Sequence, residues 1–144
     1  MVYEKIGSAY FVRLEIGEEL VTSLAALCRQ ENIRLASVSG IGATDDCDMS
    51  VYDVQDKRYY NNSFQGAYEI TSLSGNVTRM DDSPYLHLHI TIGDREGRAF
   101  AGHLKRALVS ATAEIILHTY DGEITRFQDE ATGLNLLDLE QEPS

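Results

Sequence analysis

The sequence contains no tryptophan, only two prolines and two cysteines, and no long apolar run. A membrane-spanning helix needs roughly 20 consecutive apolar residues, so we expect no contact with a membrane. The first residues show no basic segment followed by an apolar stretch, so we expect no signal peptide. Together these absences indicate a cytoplasmic protein.

The two cysteines, Cys28 and Cys47, do not have the spacing of a metal-binding or redox motif. Cys28 lies on the apolar face of a predicted helix, where a buried thiol is expected. Cys47 lies among the aspartates of residues 45–48, and two interpretations remain open for that segment: an ordinary acidic turn or a weak cation site.

Basic residues are also scarce: 12 Lys and Arg stand against 23 Asp and Glu, a formal net charge of −11. A protein that grips nucleic acid alone usually presents a basic patch to the phosphates. Here the basic residues are scattered, apart from the pair Lys105 and Arg106. We therefore expect no direct, non-specific binding to DNA.

Apolar residues make up 43% of the 144 residues, enough for a single domain over residues 1–144 with a core of its own. Residues Leu20, Leu24 and Cys28 share one face at helical spacing. The acidic residues before them suit the positive end of a helix. Alternating patterns predict strands over most of the remaining chain. The predicted class is α+β, a mostly antiparallel β-sheet with one or two flanking helices.

The predicted elements depend on alternation for strands and on glycine or asparagine for turns. The segment 104–111 is compatible with a short helix or with a strand, and 58–62 with an edge strand or a loop. The tail 132–139 is apolar enough to pack, and we expect disorder over residues 140–144. The remaining elements are a strand at 9–16, a helix at 18–32, strands at 33–38, 49–54 and 67–77, a hairpin at 84–104, and a second hairpin joining 113–120 to 123–127 through Asp121 and Gly122.

The glycine-rich segment 39–43 resembles a phosphate-binding loop only in composition. A phosphate loop needs a helix directly after it, and the acidic residues that follow do not begin an apolar helix. The glycines at 40 and 42 are better explained by a close approach of strands or subunits.

Three of the four histidines lie in the hairpin at 84–104. Residues 86–92 alternate, which places His87 and His89 on the polar face of one strand. Asp94 to Gly97 predicts a turn with Gly97 in the left-handed conformation. This turn pairs Asp94 with Arg98, and the resulting register puts His89 opposite His103.

Three imidazoles on one face of a hairpin are close enough to ligate a metal such as zinc. A shift of one residue would turn His103 to the other face. Two interpretations therefore remain open: a metal site of His87, His89 and His103, or a polar, solvated sheet face. Glu69 is either a carboxylate partner for such a site or a solvent-facing charge. His118 is expected to pair with Thr125 and to have a structural role.

Several stretches resemble the PPC domain family, the plants and prokaryotes conserved domain, which stands alone in prokaryotes and lies beside AT-hook motifs in plant nuclear proteins. The resemblance implies an antiparallel sheet with flanking helices, assembled as a homotrimer. It also implies that His87, His89 and His103 match the family's histidines, proposed in some members to hold zinc. The matching stretches are 17–20, 37–43, 68–76, 87–89, 101–104 and 132–134.

Two features of this chain depart from the plant members of that family. No AT-hook core of the form Arg-Gly-Arg-Pro occurs in the sequence. The segment 66–71 corresponds to the plant partner-binding stretch, but Ala67 replaces its arginine. The family's DNA-binding label therefore depends on a segment that this sequence lacks.

Two functions from different classes follow. The first is a homotrimeric regulatory or interaction module with a structural or sensing metal site, most simply zinc, although another divalent metal is also compatible. The second is a zinc-dependent enzyme, because three histidines and a water are the coordination of a catalytic zinc. The side chains with suitable chemistry to assist it are Glu69, Thr91, Arg98 and Asn76.

Overall fold

The structure is a computed structural model that describes residues 1–139; the expected disorder of 140–144 lies outside the described residues. It contains one helix and eight strands. In chain order these are β1 (Val2–Ile6), β2 (Ala9–Glu15), α1 (Leu20–Gln30), β3 (Ala36–Asp53), β4 (Arg58–Met80), β5 (Ser83–Gly93), β6 (Ala99–Thr119), β7 (Thr125–Gln128) and β8 (Asn135–Asp138).

The four long strands pair in a closed circuit. β3 pairs with β4 and β6, and β5 pairs with the other sides of β4 and β6, all antiparallel. β2 and then β1 extend the sheet from β6, while β7 and β8 extend it from one end of β4. The predicted α+β class, a mostly antiparallel sheet with one flanking helix, is confirmed.

The apolar core lies between the helix and one face of the strands. Helix α1 contributes Leu20, Leu24, Leu27 and Cys28, and it packs on β5 and β6. The carboxylate of Glu19 caps the helix by accepting hydrogen bonds from the backbone N–H of Val21 and Thr22, and it also accepts one from Ala107. Burial raises the pKa of the Cys28 thiol to about 12; this thiol is buried as predicted.

The hairpin turn has the predicted geometry. The backbone N–H of Gly97 donates to Asp94 O, the N–H of Asp94 donates to Arg98 O, and Gly97 has φ of 77°. The Asp94 side chain accepts from the N–H of Glu96 and of Arg98. The turn thus fixes which residues of β5 and β6 face each other.

Several elements that the sequence predicts separately are continuous strands. Strand β3 includes the glycine-rich segment 39–43 and all but the last residue of the predicted strand at 49–54, and β4 joins 58–62 to 67–77. The segment 104–111 is part of β6. A Cβ on Gly42 would lie 2.5 Å from Thr112 O, so the predicted close strand approach is present. A bulge between Ile70 and Ser72 breaks the alternation expected for 67–77 and turns both Ile70 and Leu73 into the core.

The predicted C-terminal hairpin through Asp121 and Gly122 is wrong. His118 does not pair with Thr125; it lies opposite Ala9 on β2 and Ser37 on β3. Strand β7 instead begins beside β4, where Thr125 lies opposite Arg79. The turn signal is local, whereas β6 already has a partner on each side, so the chain after Gly122 has no free edge of β6 to join.

Gly75 is the position where the β4–β5 pairing tolerates no side chain. It lies opposite Leu88, and a Cβ there would be 1.9 Å from His87 O. We expect Gly75→Ala to lower the free energy of unfolding by about 1–3 kcal/mol or more, because backbone must move. Urea unfolding followed by circular dichroism measures this effect.

Gly93→Ala is the matched control, because the added Cβ would meet only the Thr71 Cγ2 methyl at 3.3 Å. We expect it to cost clearly less than Gly75→Ala. Equal unfolding free energies for the two variants would contradict the close approach at Gly75.

Candidate metal centre

The three predicted histidines converge on the face of the sheet opposite the core. His89 lies directly opposite His103 across the β5–β6 ladder, as the turn predicts. His87 is two residues from His89 on β5, so it shares that face. Between them Leu88 is buried in the core, which holds the strand with its histidines outward.

The imidazoles are close enough to share one ion. Ring centroids are 5.2 Å apart for His87 and His89, 5.3 Å for His87 and His103, and 5.6 Å for His89 and His103. One nitrogen from each ring lies within 4.8 Å of the others. Tetrahedral zinc with bonds of about 2.0–2.1 Å requires nitrogens about 3.3–3.4 Å apart, so modest side-chain rotations are sufficient.

The surroundings favour the uncharged form that a metal ligand needs. Burial lowers the pKa of His103 to about 4, and the neighbouring His87, His89 and Lys105 act in the same direction. Burial also lowers the pKa of His87, assisted by His89 and Arg126. Neutral imidazole is the ligating form of histidine. The donor set of this structure therefore fits a borderline-soft divalent ion such as zinc.

His87, His89 and His103, called the histidine triad below, line a cavity of about 740 Å³. The cavity lies between the sheet face that carries the triad and the segment that leads into β8. This size is typical of small-molecule sites. The predicted packing of the tail 132–139 is observed here, because it forms one wall of the cavity. The lining residues are Ser50, Val51, Tyr52, Tyr59, Asn76, Tyr85, His87, His89, Gly102, His103, Arg126, Gly133, Leu134, Asn135, Leu136 and Leu137.

Arg126 is a charged residue of this cavity that no sequence motif marks. Its guanidinium donates to Thr78 Oγ1 at 2.8 Å, to Asn135 O at 2.7 Å and to Asn76 Oδ1 at 2.9 Å. It also lies over the Tyr85 ring, 4.6 Å from the centroid. Burial lowers the pKa of Arg126 from its usual value. No spacing links Arg126 to the histidines, because β7 reaches the site only through its pairing with β4.

Ser50 borders the same cavity from β3. It lies directly opposite His103, so the two side chains share one face of the sheet. The residue is 1% exposed, and its Oγ has no hydrogen-bond partner among the described residues. A buried hydroxyl without a partner costs stability, which makes Ser50 a second polar group that a bound ligand would satisfy.

The other candidate residues have different positions. Of the four proposed assisting residues only Asn76 lines the cavity, opposite His87 on β4. Glu69 is exposed and pairs with Gly93, near the other end of β5. Arg98 is held at the hairpin turn by Asp94 and Glu96. Thr91 lies opposite Ala101, two pairs from His89 and His103 toward the hairpin turn.

Cys47 and His118 do not belong to the centre. Cys47 is fully buried, and burial raises the pKa of its thiol to about 12, which disfavours the thiolate that binds metals. The His118 ring contacts Ser8 Oγ at 3.3 Å, in keeping with a structural role. No helix among the described residues has the length and apolar character to cross a bilayer.

Solved structures resemble this chain along nearly its whole length. A "putative DNA binding protein" from Bacteroides thetaiotaomicron is 35% identical, with a TM-score of 0.94 over 97% of this chain and 98% of that chain. A metal-containing protein from Archaeoglobus fulgidus is 34% identical, with a TM-score of 0.85 over 97% of this chain and 99% of that chain.

Sequence comparisons agree with the structural ones. The bifunctional protein GlmU of Synechococcus is 30% identical over 135 residues, which are 92% of this chain. The chain spans about a fifth of the length of that curated relative (20%). The model of the Plants and Prokaryotes Conserved (PCC) domain matches residues 1–121. The chain therefore belongs to the Plants and Prokaryotes Conserved domain family, the one that its motifs resemble.

Proposed function

We propose that the protein is a homotrimeric regulatory module of the cytoplasm in which His87, His89 and His103 hold zinc or another divalent metal. The observation that carries this proposal is the convergence of the three imidazoles, with one nitrogen of each within 4.8 Å of the others. No other group of three or more potential metal-ligating side chains comes this close together among the described residues. The metal-containing relative from Archaeoglobus supports the same conclusion.

The position of the triad suits a sensing role as well as a structural one. A metal bound by the three histidines would link β5 to β6 at the pair His89 and His103, the end of their ladder farthest from the turn. Such a link would stabilise the hairpin. The same triad faces a cavity of about 740 Å³, so a small ligand can reach it. When bound, zinc supplies a Lewis-acid position and acidifies a water to a pKa of about 7.

A second surface supports assembly with copies of the same chain. Phe11, Ile41 and Ile116 are 45%, 57% and 39% exposed, and together they line an apolar hollow of about 730 Å³ on strands β2, β3, β4 and β6. Apolar area in the middle of a sheet favours a partner. Arg13 and Glu114, directly opposite each other at this hollow, bring both signs of charge to a contact between copies.

Direct DNA binding is not part of the proposal. The Bacteroides relative carries a DNA-binding description, but this chain has a net charge of −11, and each added copy increases the repulsion from phosphates. A regulatory role would therefore act through a protein partner or a small ligand.

The second candidate function, a zinc-dependent enzyme, is favoured by the cavity and by Arg126 at its wall. Hydrolytic zinc sites generally need a general base beside the metal. The described lining of the cavity contains no Asp or Glu, and Asn76 cannot accept a proton in that role. The regulatory module is therefore the preferred proposal.

The metal site is tested with His89→Ala. We expect wild-type protein to bind one zinc per chain and the variant to lose more than the roughly 10–100-fold in affinity that a change next to a ligand costs. Metal analysis after dialysis, together with a competition titration against a chromophoric chelator, measures both quantities.

His118→Ala is the matched control, since it removes the one histidine outside the triad. It should keep the zinc content and the affinity of the wild type. Unchanged zinc binding in His89→Ala, or an equal loss in His118→Ala, would refute the assigned ligands.

The assembly is tested with Ile41→Glu. In sedimentation experiments we expect the wild-type protein to have three times the 16.0 kDa mass of one chain. We expect the variant to have the mass of a monomer, because burying a charged side chain in an apolar interface is unfavourable. Val54→Glu is the control, because Val54 is 53% exposed and outside the hollow. A monomeric wild type, or a trimeric Ile41→Glu with wild-type stability, would contradict the proposal.

A further inference from the structure

We propose that the cavity binds a small carboxylate with an apolar or aromatic body, whose oxygens reach both the metal held by the three histidines and the guanidinium of Arg126. This inference rests on the proposed metal site and adds the class of ligand that the site would recognise. Neither the family match nor the relatives' names assign such a ligand or give Arg126 a role.

The first argument is that Arg126 carries a half-buried charge with no counterion among the described residues. All three of its described hydrogen-bond acceptors are neutral: a hydroxyl, a backbone carbonyl and a side-chain amide. No carboxylate among residues 1–139 forms an ion pair with it. A half-buried arginine that pairs with none of the acidic residues in 1–139 indicates a binding position for an external anion.

The second argument is the donor geometry of this guanidinium. Arginine has five N–H donors, and its contacts with Thr78, Asn135 and Asn76 use one each on Nε, Nη1 and Nη2. One N–H on each terminal nitrogen is therefore left over. Carboxylates and phosphates are the groups that accept paired N–H donors from arginine. The three existing contacts and the Tyr85 ring hold the guanidinium in one orientation, which reduces the entropy lost on binding.

The third argument is that the cavity is positive near the metal and apolar elsewhere. Arg126 donates to the Asn76 side chain, and Asn76 lies directly opposite His87 across the β4–β5 ladder. A divalent ion would add to the field of Arg126, and no Asp or Glu occurs among the described lining residues. The rest of the wall is provided by Tyr52, Tyr59, Leu134, Leu136 and Leu137, which suits an apolar body better than a fully hydrated phosphate.

The fourth argument is the unpartnered hydroxyl of Ser50. It lies on the same face as His103 and is buried without a hydrogen bond. The Ser50 hydroxyl can donate to a carboxylate oxygen, so the same ligand that neutralises Arg126 would also satisfy this group. Arg126, which has no counterion among the described residues, and Ser50, whose hydroxyl has no hydrogen-bond partner there, therefore border the same cavity beside the three histidines.

Benzoate, its neutral analogue benzamide and inorganic phosphate are the probes that test this proposal. Each is titrated calorimetrically into zinc-loaded, full-length protein, with zinc content measured in every sample. We expect benzoate to bind at least about tenfold more tightly than benzamide and more tightly than phosphate, because the charged group gains charge-assisted hydrogen bonds. Tighter binding of phosphate, or equal binding of benzoate and benzamide, would overturn the inference.

Arg126→Gln should weaken benzoate binding by roughly 10–100-fold, while zinc content stays at the wild-type level. Arg126→Lys should retain part of the affinity because it keeps the charge but not the paired donors. Arg95→Gln is the control for net charge, since Arg95 is 90% exposed and paired with Glu96; it should bind benzoate as the wild type does.

The two proposals fail in different ways. Absence of zinc from the triad would refute the metal site itself. Normal zinc content with benzoate affinity unchanged in Arg126→Gln would leave the metal site standing and refute the anion site.

Discussion

The pairing of His89 with His103 across the β5–β6 ladder is the constraint on which the candidate site depends. It is set by a turn several residues away, where Asp94 binds Arg98 and Gly97 takes a left-handed conformation. A strand has only two faces, so a one-residue change of register would send His103 into the core and Leu104 out of it. The buried Leu88 and Leu104 on the core face make such a shift costly, and the same packing that stabilises the fold thus holds the imidazoles together.

The electrostatics of the histidine face differ from those of the chain as a whole. The protein is strongly acidic, with a net charge of −11, yet the described wall of this cavity contains one arginine and three histidines and no carboxylate. Partial burial lowers the pKa values of His87 and His103 and so favours their neutral forms. In the proposed site the imidazoles would hold a cation, and Arg126 and Ser50 would hold an anion beside it.

Local patterns were sufficient to predict the hairpin, its histidine register, the helix and the sheet class. Alternation over 86–92 and the Asp94–Gly97 turn are short-range signals, and both describe the structure correctly. The errors have long-range causes. The predicted hairpin at Gly122 fails because β6 is already paired on both sides. No local pattern marks Arg126, because only the pairing of β7 with β4 brings it to the cavity. Ser50 likewise becomes relevant only through its position opposite His103.

X-ray diffraction from crystals of the zinc-loaded protein, recorded on both sides of the zinc absorption edge, tests the central claim most directly. The proposed site predicts one strong anomalous peak per chain, about 2.0–2.1 Å from one nitrogen each of His87, His89 and His103, with its remaining side open to the cavity beside Arg126. An anomalous map without a peak among these three rings, or with its main peak at other side chains, would contradict it.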